Sequence, residues 1–340
     1  MKYLEQSYWK KNRIKYLYFL GILFVSCSTI MGILWGSTPL SFSEIVEAFQ
    51  KGLNHSTGTR IFAYVRLPRT LASLLCGAAL SVSGAVIQAV LANRLASPSI
   101  IGVNAGAGLA VTICTAFGIL GGWQISLFSF IGAFTAVFIV SLCSKRWRSS
   151  RGTVILTGVA MNSFLGAISD TITTLVPDVG IMSSSFKIGD FSYVTYQRLF
   201  PCLIIIVIVI LILHTMHNEL DILTLGEETA TGLGVNTSVL RTVFLLMAAL
   251  LAGCAVSLAG LLSFVGLLIP HAIRRIAGNK SSTLIGLCAL YGAAFVSFCD
   301  TIARTVFAPY EIPVGIIMAY LGAPFFVFIL IKGKGGHHHD

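Results

Sequence analysis

Charge is what this sequence has least of. Asp, Glu, Lys and Arg make up 11% of its 340 residues, against roughly 25% in a soluble domain. With 56% hydrophobic residues and a mean hydropathy of +0.87, the chain reads as a polytopic membrane protein. It has no GxxxxGK[ST] phosphate-binding loop, so it does not read as a P-loop ATPase. Neither a paired-histidine motif nor an acidic dyad occurs in an apolar span, which argues against a membrane-embedded enzyme. The eight cysteines (27, 76, 114, 143, 202, 254, 288 and 299) stand singly, without CxxC spacing. They read as small packing residues rather than metal ligands. The net charge of +10 sits in short clusters between apolar runs, the pattern of membrane topology rather than of nucleic-acid binding.

What is present is a series of apolar runs. Hydropathy predicts spans at 14–35, 70–91, 102–120, 124–143, 152–169, 198–216, 240–258, 259–273, 283–300 and 312–331, about ten helices in all. An even number places both termini on one side. The N-terminal cations, Arg94, the 145–151 cluster, Arg241, Arg274, Arg275, Lys280, Lys332 and Lys334 then share that side, which the positive-inside rule makes cytoplasmic. Lys51, Arg60, Arg66, Arg69, Lys187, Arg198 and Arg304 are left outside. Lys10, Lys11, Arg13 and Lys15 precede a first run long enough to span, with no small-residue cleavage site after it, so that helix is expected to remain.

The stretch LLCGAALSVSG (74–84) aligns with LLAGCAVSLAG (250–260), matching Gly77 to Gly253, Ser81 to Ser257 and Gly84 to Gly260. On the topology above the copies run in opposite directions, an inverted internal repeat of the kind found in transporters. Small residues also let any two membrane helices pack closely. Two polar stretches interrupt the pattern. Segment 217–241 interleaves leucines with Glu227, Glu228 and glycines, as in short amphipathic helices broken at Gly226 and Gly232. Segment 170–197, with Pro177, Gly180 and Gly189, looks like a re-entrant turn or short helix over an opening.

Four motifs in order carry a family resemblance: RLPRTLASLLCGAALSVSGAVIQAVLANRLASPSIIGVNAGAG (66–108), LGEETATGLGV (225–235), SFVGLLIPHAIRRIAG (263–278) and DTIARTVFAPYEIPVGIIMAYLGAPFFVFIL (300–330). The chain resembles the permease subunits of type II ABC importers for iron chelates, haem and cobalamin. The resemblance implies an all-α fold in one transmembrane domain over 1–340, with a cytoplasmic N-terminus (1–13), cytoplasmic coupling helices (217–239), an outer gate segment (170–197) and a cytoplasmic tail (332–340). It implies as partners two ATPase subunits, a substrate-binding protein, a second permease and membrane lipid. The chain itself binds no cofactor; ATP and Mg belong to the ATPase.

Residue by residue, the resemblance makes Arg66, Arg69 and Arg304 the outer docking site for the binding protein. Helix-end anchoring by snorkelling competes for the first two, and a local pair with Asp300 at i, i+4 competes for Arg304. Asn93 and Leu95 become the cytoplasmic gate, with Arg94 standing where the family has proline. Phe186, Lys187, Gly189 and Asp190 fall on the outer gate, where the family commonly has an aromatic and then Gly-Ser. Gly226, Glu227, Glu228, Ala230, Leu233 and Gly234 match the coupling surface. His271, after Pro270, reads as a helix-packing hydrogen-bond partner. The expected cargo is an iron–siderophore, with haem or cobalamin as alternatives and an ion-coupled secondary transporter as the rival class. The terminal HHHD carries no inference.

Overall fold

The structure, a computed structural model, describes residues 2–38, 40–52, 55–119, 122–146 and 151–334. Residues 147–150, within the 145–151 cluster, and the 335–340 tail lie outside them. All elements among the described residues are helical. In order they are α1 (Lys2–Leu34), α2 (Phe42–Gln50), α3 (Thr57–Ile61), a π turn (Phe62–Arg66), α4 (Leu67–Val90), α5 (Val103–Ala116), α6 (Gly122–Arg146) and α7 (Arg151–Leu175). There follow α8 (Pro177–Ile188), α9 (Tyr196–Thr215), α10 (His217–Thr224), α11 (Glu227–Gly232), α12 (Thr237–Ala259), α13 (Val265–Ala277), α14 (Ser281–Thr305) and α15 (Val314–Lys334). Each of the ten apolar runs falls on a helix. Seven helices are long and apolar enough to cross a membrane, and Val103–Ala116 and Val314–Phe328 are shorter apolar helices.

Two boundaries differ from the hydropathy reading. The eighth run does not continue from the seventh: α12 ends on Gly260, whose φ of +72° suits glycine, and residues 260–264 are extended or bent before α13 begins. The second run starts earlier than Thr70. Pro68 has no N–H for the Tyr64 carbonyl, and the backbone absorbs the missing bond as a π turn, with the Leu67 N–H donating to the Phe62 carbonyl. Helix therefore continues from Thr57 to Val90, and Arg66 and Arg69 sit inside it rather than at a free end.

The core is built on α4, which packs against α12 and α14. Small residues bring the backbones into contact. A Cβ on Gly84 would lie 1.7 Å from the Gly266 carbonyl oxygen, and one on Gly77 would lie 2.1 Å from that of Gly292. Hydroxyls then bond across the helices: Ser83 Oγ donates to the Ala248 carbonyl (2.7 Å) and Ser81 Oγ to that of Cys288 (2.6 Å). The residues matched between the two sequence copies have different partners. Ser81 and Gly77 of α4 meet α14, whereas their counterparts Ser257 and Gly253 of α12 meet α6, through Ser126 and Phe130. Each repeat then turns through a left-handed residue, Gly102 before α5 and Phe264 before α13, with φ of +101° and +68°.

Gly84→Ala is expected to destabilise the fold by about 1–3 kcal/mol or more, because overpacking has no room to relax against backbone. Gly166→Ala on α7, where a Cβ meets open space, should be neutral or slightly stabilising through helix propensity. Scanning fluorimetry in detergent compares the two; equal losses would contradict the packing account.

Candidate functional site

At one end of the bundle lie the ends of α1 and α14, the π turn and the start of α9. Here the three arginines expected to face a partner come together, but they are buried, at 2%, 4% and 3% exposure for Arg66, Arg69 and Arg304. Asp300, fully buried on α14, is the hub. Arg69 Nη2 and Nε reach Asp300 Oδ1 at 3.0 and 3.1 Å, and Arg304 Nε reaches its Oδ2 at 3.2 Å. Arg69 Nη1 also donates to Glu311 Oε2 at 2.6 Å, and Ser37 Oγ donates to the other oxygen of Glu311 at 2.7 Å. Arg66 has a different task, donating to the carbonyls of Ile33 (2.8 Å), Leu34 and Thr38. Arg304 Nη2 donates to Gly32 at 3.2 Å. Two guanidiniums thus satisfy the free carbonyls at the C-terminus of α1, where the helix dipole favours cations. For Arg66 and Arg69 the cause of this burial is the helical run from Thr57, which places both a turn or more inside the helix rather than at its lip.

The neighbouring segment, expected to form an outer gate, is clasped by backbone. Val176 interrupts α7 and α8, and beyond α8 the Leu261 N–H donates to Phe186 (2.9 Å), the Asp190 N–H to Ala259 (2.7 Å) and the Gly315 N–H to Gly189 (3.2 Å). The end of α8 is therefore pinned to the end of α12 and the start of α15. The approach is so close that a Cβ on Gly315 would lie 1.7 Å from the Ile188 carbonyl. Lys187 is exposed, Phe186 is half-buried, and Asp190 accepts from the backbone N–H and the hydroxyl of Ser192. A cavity of about 730 Å³ opens under α8, with Phe186, Asp190, Tyr193 and Arg198 in its wall.

The opposite end carries the remaining expected residues. After α4, Ala92 takes a φ of +46° and Asn93 Oδ1 accepts the Leu95 N–H (2.9 Å), forming a tight turn that presents Arg94 and Leu95 to the surface. His271 of α13 is half-buried at the same end. The α10–α11 surface is held from beneath. Ala230 is buried, Asp221 Oδ1 accepts the Ser281 N–H (3.0 Å), and Glu227 Oε2 accepts from Arg241 Nη2 at 3.0 Å. Leu225, Glu228 and Leu233 are exposed, and Gly226 and Gly234 turn the chain at φ of +110° and +79°. Among the described residues, no group of three or more His, Cys, Asp or Glu is placed to hold a metal ion.

Asp300 and Glu311 were not singled out as site residues by sequence reasoning, although Asp300 stands four positions before Arg304. Removing one member of a buried pair leaves the others' charge uncompensated. Asp300→Asn is expected to cost about 3–5 kcal/mol, and Glu311→Gln, half-exposed, about 1 kcal/mol or less. Burial pushes the Glu311 carboxyl up, but Arg69, Ser37 and Arg304 outweigh it and hold it below its ordinary value of 4.5. Its contribution is therefore present above that pH and lost as the pH falls through the lowered pKa. Melting of both variants across pH 3–7 checks the order and the sign.

Comparison with known proteins adds the family. Residues 22–332 match the FecCD transport family. The iron(3+)-hydroxamate import system permease protein FhuG of Bacillus subtilis is 35% identical over 79% of this chain and 83% of its own. The vitamin B12 import system permease protein BtuC of Yersinia pseudotuberculosis is 34% identical over 82% and 84%. A solved structure described as an inward-facing conformation of a metal-chelate type ABC transporter superposes with a TM-score of 0.82 and 26% identity, covering 94% of this chain and 99% of that one. With nearly its whole length matched, the chain belongs to the FecCD family of ABC importer permeases.

Proposed function

We propose that this permease passes an iron–siderophore complex from a substrate-binding protein to the cytoplasm, driven by a separate ATPase. The observation that carries this reading is the exposed α10–α11 surface, in which Leu225, Leu233 and Glu228 project from a firmly anchored base. An apolar patch with a charged edge, set on a rigid platform, suits contact with a partner that moves it. On this reading the α10–α11 end, with Arg94, Arg151, Arg241, Arg274 and Arg275, is cytoplasmic. The Asp300 end, with the α8 gate, is then outside, and both termini are cytoplasmic. ATP and Mg act in the partner ATPases, and a second permease copy or homologue completes the pathway past Asn93, Arg94 and Leu95.

Iron–siderophore cargo is favoured by the hydroxamate relative, and cobalamin is kept open by the B12 relative; haem is a third cargo of the same class. An ion-coupled mechanism is disfavoured because Asp300, the buried carboxylate that could serve as its coupling site, is held between two guanidinium groups. For docking, the cluster of Arg66, Arg69 and Arg304 shapes the rim from within. The exposed charges Arg60, Lys187 and Glu311 are the first a binding protein meets, and the three arginines come within its reach when the 306–313 loop moves aside. On the same reading Phe186, Lys187, Gly189 and Asp190 form the outer gate, supported by the backbone bonds that tie Phe186, Gly189 and Asp190 to α12 and α15.

The coupling proposal predicts that Glu228→Lys with Leu233→Ala leaves melting unchanged but lowers permease-dependent ATP hydrolysis at least severalfold. Full coupling in that folded double variant would remove the assignment. The docking proposal predicts that Arg60→Glu with Lys187→Glu slows capture of the binding protein and flattens its dependence on ionic strength. Association kinetics over a salt series measure this, and a salt slope matching the parent protein would place docking elsewhere.

A further inference from the structure

Below the cavity under α8 lies a second, of about 480 Å³, set between α6, α9 and α12. The two share Trp123, Gln197, Arg198 and Ser257 in their walls, so they adjoin, and they differ in character. The upper part is rich in hydroxyls and carries Asp190, Ser192, Tyr193 and Thr195. The lower part is walled chiefly by Leu127, Phe130, Pro201 and Ile205. Trp123 and Arg198 stand at the join, each within the first turn of its helix.

Arg198 is half-buried there and donates to the Gly122 carbonyl. Among the described residues no carboxylate lies within ion-pair distance of it. Asp190, in the adjoining wall, is occupied by Ser192. Beside the cleft Phe128, Phe200 and Ile204 are exposed, so its mouth opens through an apolar flank where a membrane helix meets acyl chains. Tyr64, Trp123 and Tyr193 are exposed around the upper rim, the position aromatic side chains take at a membrane interface. From Trp123 to Phe130 the helical rise is about 10 Å, enough for a hydrocarbon tail to run several methylenes deep.

We propose that the adjoining cavities hold one anionic phospholipid, with its phosphodiester on Arg198, its polar headgroup under α8 and one acyl chain between α6 and α9. A cation without a carboxylate partner supplies charge complementarity to the phosphodiester. The hydroxyl-lined space suits a glycerol headgroup, and the apolar cleft suits a chain and not a second headgroup. On the topology proposed above the lipid belongs to the outer leaflet, but its binding requires neither that assignment nor any transport activity.

The test uses the full chain with Trp9, Trp35 and Trp147 replaced by Phe, so that Trp123 is the only tryptophan, reconstituted in phosphatidylcholine vesicles. Dibrominated phosphatidylglycerol or dibrominated phosphatidylcholine is added at equal mole fraction, and quenching of Trp123 gives their relative affinity. The glycerol lipid is expected to win about fivefold, as one cation near a membrane surface provides. That preference should fall to about one in Arg198→Gln, and should persist in Arg198→Lys and in the control Arg60→Gln. Equal quenching in the parent, or a preference that survives Arg198→Gln, overturns the proposal. Loss of the preference in millimolar inorganic phosphate would show a free-anion site instead. Absence of quenching by either lipid would show the cleft covered by protein, such as a second copy, and would equally overturn it.

Discussion

The backbone contact between α4 and its neighbours is the constraint on which the rest depends. Gly84 lies against Gly266, and Gly77 against Gly292, so closely that neither position has room for a methyl group. In a membrane, where apolar side chains gain little by leaving lipid, such contact lets dispersion and interhelical hydroxyl bonds hold helices together. The same closeness fixes the rotation of α4. One end of the helix then carries Arg66 and Arg69 into the interior beside α14, and the other leads to the Asn93–Leu95 turn. Both ends are set by one helix.

The buried charges follow from that placement. A carboxylate as deeply enclosed as Asp300 requires near-complete compensation, and Arg69 and Arg304 provide it from two helices. Glu311 extends the network to the surface through Arg69, and Arg66 closes the end of α1. This end of the bundle is thus a charge-locked assembly of α1, α4, α14 and the 306–313 loop, beside an α8 whose end is clasped by backbone bonds at Gly189, Leu261 and Gly315.

Much of this was legible in the sequence. Each of the ten hydropathy runs falls on a helix, seven of them long and apolar enough to cross a membrane and two more shorter apolar helices, because a long apolar run has no other way to satisfy its backbone in lipid. The repeat was legible as matched small residues, Gly77 and Ser81 against Gly253 and Ser257, but the different helices that the two copies meet were not. Burial of the arginines was not legible. Proline at position 68 reads as a helix start, and only the π turn shows that helix continues through it. The short helix α2 was overlooked although Ser41 and Glu44 form a reciprocal capping box that the spacing alone announces. The left-handed turn at Phe264 had no signal, since glycine marks its counterpart Gly102 but phenylalanine gives no hint of a positive φ. The lipid-sized cleft could not have been read at all, because its walls come from α6, α9 and α12, far apart in the chain.

The central claim is that transport through this chain is powered from its α10–α11 surface by ATP rather than by an ion gradient through its own carboxylates. Proteoliposomes containing the permease, its ATPase and its binding protein, supplied with ferric hydroxamate, test it directly. Accumulation that requires ATP hydrolysis and persists when proton and sodium gradients are collapsed is the predicted result. Accumulation without ATP that disappears with the gradient would contradict the account.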